Sequence, residues 1–194
     1  MKRRFSISPW AVLLMAAVYF AVGIKAVLAV LISVVIHELG HSAAIKLFGG
    51  KVVSVRFDSS GLCMDSNGIE SALGELIVLA SGPAAGLIFA AICSHYPENG
   101  FAVLLTAVGF VLTAYNLLPV YPLDGGRMVY TVLSGCIGRK KCADIMYLIG
   151  IVTGTILAVC GLLSLAKDYG TALLIAGVWL LIAQTGIVKS MRLL

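Results

Sequence analysis

Charge is scarce in this sequence. Asp, Glu, Lys and Arg make up 12% of its 194 residues, against 60% hydrophobic residues and a mean hydropathy of +1.05. A soluble globule of this length cannot hide that much apolar surface. Internal repeats and low-complexity tracts are also missing, and we expect no soluble domain appended at either end. No basic patch is interleaved with aromatics, so the net charge of +5 does not point to nucleic acid. The five cysteines, at 63, 93, 136, 142 and 160, form no C-x-x-C pair. That argues against a zinc ribbon or a disulfide framework and leaves small buried thiols. Histidine is rarer still, with three in the chain.

What is present is a series of long apolar runs. A helix needs about 20 residues to cross a bilayer. Six candidate spans fit, roughly 8–23, 26–47, 72–94, 101–118, 144–166 and 170–188. The first follows Lys2, Arg3 and Arg4 and has some character of a signal peptide. An uncleaved anchor fits better, because Gly23-Ile-Lys-Ala leads straight into the next run. With six spans and both termini in the cytoplasm, Lys25 and Lys167 are the only basic residues that fall outside, which is the positive-inside pattern of an inserted protein. The fold class is therefore an all-α polytopic membrane protein of a single domain, 1–194, in a cell membrane. Between the second and third spans, GGKVVSVRFDSSGLCMDSNG alternates apolar and polar residues before Ser-Ser-Gly. That pattern predicts a short strand or hairpin at the membrane surface, with an ordinary polar loop as the alternative.

The second span ends in SVVIHELGHSAAI. His37-Glu38-Leu39-Gly40-His41 is an H-E-x-x-H. On a helix, His37 and His41 lie about 40° apart and Glu38 about 60° from His41. Both imidazoles can reach one ion, and the carboxylate can reach a water beside it. This is zinc-hydrolase geometry, with two His ligands and Glu as general base. Ionisable residues inside an apolar span are functional by default. Gly40 costs about 1 kcal/mol against Ala within a helix, which suits either a close approach to the backbone or helix packing.

A zinc site needs one more protein ligand. Seven of the nine acidic residues lie in loops or at span ends, leaving Glu38 and Asp124. Asp124 sits in NLLPVYPLDGGR, where two prolines and two glycines break a helix. Broken helices at membrane depth are tolerated where they line a cavity. Asp124 is thus the candidate third ligand, on the cytoplasmic side with the end of the 26–47 span. Without the H-E-x-x-H, a turn-forming Asp-Gly would be the reading. His95, in SHYPENG, is expected to be a loop residue.

HELGH in one span, paired with NLLPVYPLDGGR in a later one, resembles the site-2 protease family of intramembrane zinc metalloproteases, peptidase family M50. The compact form is most similar to the branch holding the stage IV sporulation protease of spore-forming bacteria. The resemblance covers about residues 26–135. It implies a three-helix catalytic core, one zinc per chain, and cleavage of a peptide bond in or next to a transmembrane segment of a membrane-bound protein. It makes His37, His41 and Asp124 the metal ligands and Glu38 the catalytic base. It further implies a bacterial plasma-membrane setting, surface strands able to take up an unwound substrate, and neither a PDZ nor a CBS module. The family's Gly-Pro element appears as SGPAAG at 81–86, but Gly86 stands where many members carry asparagine. Two other readings remain. A metal-ion transporter could use the same helix, although it should string polar ligands along a path, and 144–166 and 170–188 offer almost none. A non-catalytic relative would hold membrane partners without cutting them. The substrate and the oligomeric state are not legible.

Overall fold

The computed structural model describes residues 4–7, 23–58, 61–68, 71–167 and 170–191, with the strands and the end of the last helix described by backbone alone. The 8–23 span lies almost wholly outside them. Among the described residues are three strands and six helices: β1 (Arg4–Ile7), α1 (Ile24–Leu47), β2 (Lys51–Asp58), β3 (Gly61–Asn67), α2 (Ala72–Cys93), α3 (Gly100–Asn116), α4 (Asp124–Ile137), α5 (Arg139–Ala166) and α6 (Ala172–Met191). α1, α2 and α5 are long and apolar enough to cross a membrane, and α3 and the described part of α6 are shorter apolar helices. These five match the later five spans read from the sequence. The chain divides into two compact units, 1–117 and 118–194.

In the first unit, α1, α2 and α3 pack against one another. Their ends follow from local chemistry. Ser71 caps α2 by accepting from the Gly74 N–H at 3.0 Å, and Asn99 Oδ1 caps α3 by accepting from Phe101 and Ala102. α1 stops where Gly49 adopts φ +73°, and the Gly50 N–H returns to the Ile45 carbonyl at 2.9 Å. Ala29, Cys93 and Leu105 form one buried cluster among the three helices, with Ile32, Phe89, Leu104 and Val108 packed around it. Gly40 is resolved in favour of packing. A Cβ there would strike the Ser81 carbonyl oxygen and come within 2.7 Å of Ala85 Cβ.

The expected hairpin is present. β2 and β3 pair antiparallel from Lys51↔Asn67 to Asp58↔Gly61, with a bulge between Val52 and Ser54. β1 adds in parallel, Arg4↔Ser54 to Ile7↔Phe57, making the sheet order β1-β2-β3. That third strand was not anticipated, because four residues carry too little pattern to signal a pairing so distant in sequence.

α3 ends the helical run of the first unit at Asn116; turns follow, as the prolines and glycines require, and in the second unit the chain re-enters a helix at Asp124. α4 was also not anticipated. Its sequence, DGGRMVYTVLSGCI, is too polar to read as a span. α5 and α6 then pack along each other as an antiparallel pair through glycine contacts: a Cβ at Gly161 or Gly177 would collide with the backbone of the partner helix.

Candidate metal centre

Helical spacing delivers the first half of the site. His37, Glu38 and His41 are all buried, at 5%, 8% and 8% exposure, in a helix whose outward residues such as Leu39 and Val35 are exposed. The two imidazoles meet edge to face, with centroids 4.8 Å apart, and their Nε2 atoms are 3.1 Å apart. His41 Nδ1 lies 2.7 Å from the Val78 carbonyl on α2. A carbonyl only accepts, so that nitrogen carries the proton and a neutral His41 presents its lone pair at Nε2. Histidine ligands in metal sites are oriented in this same way, by giving the other ring N–H to a carbonyl. Two nitrogens on a tetrahedral zinc, with bonds of about 2.05 Å, sit about 3.4 Å apart. The Nε2 pair is close to that spacing, so these residues fit a zinc ion.

α2 is shaped around this pair. The imidazole of His41 occupies the space where Gly82 would carry a Cβ, with ring Cε1 2.5 Å from that point. A side chain at 82 and the observed His41 ring are mutually exclusive. Pro83 follows inside the helix, and the Ser81 hydroxyl donates to Val78, whose carbonyl also takes the His41 proton. Within this element, Gly82 makes room for the His41 ring and Ser81 shares its Val78 acceptor. Gly86 lies against α3, with Thr113 Oγ1 2.9 Å from its would-be Cβ. Thr113 is itself buried, so a larger residue at 86 would have to displace it. The Val78 carbonyl could not have been found from sequence, because every residue has one.

Asp124 belongs to the second unit. It is the first residue of α4, largely buried, with Gly125 and Gly126 buried behind it. The preceding turn is closed by Leu123 N–H to Val120 O, and the helix begins with Arg127 N–H to Leu123 O, both 2.9 Å. Gly126 presses on the backbone of Val120 and Tyr121, leaving no room for a Cβ. Gly126 thus lets a helix start directly on top of the turn that precedes it. His95 lies in the exposed turn after α2, as expected, with Nδ1 2.8 Å from Ala91 O. Cys93 and Cys142 are buried free thiols, as expected, whereas Cys136 and Cys160 are free but exposed, against that expectation; Cys63 falls among residues described by backbone alone.

Comparison with known proteins agrees with this architecture. The sequence model of peptidase family M50 matches residues 98–157, the stretch holding α3, α4 and Asp124. A zinc metalloprotease of Methanocaldococcus jannaschii is 34% identical over 144 residues, 69% of this chain and 42% of that protein. Stage IV sporulation protein FB of Bacillus subtilis is 30% identical over 120 residues, 57% of this chain and 41% of that one. The chain thus spans about two fifths of the length of these curated relatives. The solved site-2 protease from Methanocaldococcus jannaschii shares the fold, with a TM-score of 0.76 at 22% identity, over 96% of this chain and 92% of that one. The chain belongs to the site-2 protease family of zinc metalloproteases, peptidase family M50.

Proposed function

We propose that this protein is a zinc-dependent endopeptidase that cuts a peptide bond within or next to a transmembrane segment of a membrane-bound protein. In this reading His37 and His41, from the first unit, and Asp124, from the second, hold one zinc ion, and the two units act as a single catalytic domain. The observation that carries it is the His41–Val78 hydrogen bond beside the close Nε2 pair. An isolated pair of buried histidines has no need of a shared focal point. When bound, zinc would supply a Lewis acid that polarises the scissile carbonyl and makes water at the site acidic. Glu38 takes a proton from the water as its oxygen bonds to the carbonyl carbon, and returns that proton to the leaving nitrogen as the C–N bond breaks. The positive-inside distribution favours cytoplasmic termini, with the site toward the cytoplasm of a plasma membrane.

Glu38→Gln tests the role directly. The variant should keep its zinc and lose cleavage of a co-expressed membrane substrate by about a hundredfold or more. Retained cleavage would remove Glu38 from the mechanism.

A further inference from the structure

The α6 run ALLIAGVWLLIAQTG contains a single amide, Gln184. It is 1% exposed. A buried amide in apolar surroundings is costly unless it is hydrogen-bonded, and this one is: its Nε2 donates to the Tyr121 backbone carbonyl at 2.7 Å. The fold makes space for it. Gly150, on the facing helix α5, has no side chain where the Gln184 amide lies, and a Cβ there would stand 2.5 Å from Oε1 and 2.9 Å from Cγ. A glycine on one helix and a glutamine on the other are thus both committed to a contact with a turn three residues upstream of Asp124.

That turn has no regular structure of its own. Its backbone is held by the Leu123-to-Val120 bond, by the close seat of Gly126 on Val120 and Tyr121, and by Gln184. We infer that Gln184, seated in the Gly150 notch, is a positioning residue: through the Tyr121 carbonyl it fixes the turn that aims Asp124. It gives the α5–α6 pair a part in the site, although neither helix contributes a metal ligand. The inference rests on the reading of Asp124 as a zinc ligand.

The test is zinc affinity of the purified full chain in detergent, by competition with a chromogenic chelator, alongside thermal unfolding. Gln184→Met keeps the bulk and removes the donor. Outer partners of metal ligands change metal affinity by about 10–100-fold when lost. Gln184→Met should therefore weaken zinc binding by about tenfold, with an unfolding midpoint close to that of the parent. Gly150→Ala should do the same by pushing the amide aside, and should add little further loss of affinity in a Gln184→Met background, because both changes break one contact. Parent-like zinc affinity in Gln184→Met, or equal and additive losses from the two changes, would overturn the inference. Asp124→Ala separates the two levels. If it binds zinc as the parent does, the ligand reading fails; if it loses zinc while Gln184→Met does not, only the role of Gln184 fails.

Discussion

The two units present their chemistry in opposite ways. In the first, regular structure does the aiming. His37 and His41 are one turn apart on α1, and α2 completes the arrangement with a carbonyl from Val78 and an empty position at Gly82. In the second, Asp124 follows a stretch with no regular structure, and its direction depends on a turn held from several sides. A helix supplies precision by its periodicity. An irregular turn needs partners from elsewhere, and those partners need not look like functional residues.

The comparison yields predictions of decreasing size. Gly82→Leu attacks the helical half: its side chain and the His41 ring claim one space, so zinc binding should fall by more than tenfold, read by chelator competition. Gly126→Ala attacks the irregular half. Its Cβ meets backbone rather than a side chain, so the start of α4 must shift, and zinc affinity and thermal stability should fall together. If Gly126→Ala lowers neither, the turn is less constrained than its contacts indicate. Gly40→Ala gains about 1 kcal/mol of helix propensity but crowds the Ser81 carbonyl, and overpacking typically costs about 1–3 kcal/mol. A net loss of stability on thermal unfolding in detergent is expected, and a net gain would mean that α1 and α2 can separate freely at this crossing. Ser71→Ala removes only a cap and should cost about 1 kcal/mol, without altering zinc binding.

Legibility followed the same division. The H-E-x-x-H announced itself because polar residues in an apolar helix are conspicuous, and the break before Asp124 because Pro and Gly punctuate the chain. The β2–β3 hairpin was visible in its period of two. Hidden were features that depend on contact between distant segments. These include the parallel addition of β1, the Val78 carbonyl, the fit of Gly82 to His41, and the Gly150 notch. Gln184 did leave a trace, as a lone amide in an apolar run, but its partner is a backbone atom 63 positions away. Pattern along a chain reveals which residues are unusual; it does not reveal which backbone group they serve.

The central claim is that two histidines and one aspartate hold a single zinc ion. X-ray absorption of the zinc-loaded protein addresses it most directly. The account predicts one zinc per chain with two imidazole nitrogens at about 2.0–2.1 Å, oxygen completing the shell, and no sulfur. A sulfur scatterer near about 2.3 Å, a third imidazole, or a spectrum unchanged in Asp124→Ala would contradict it.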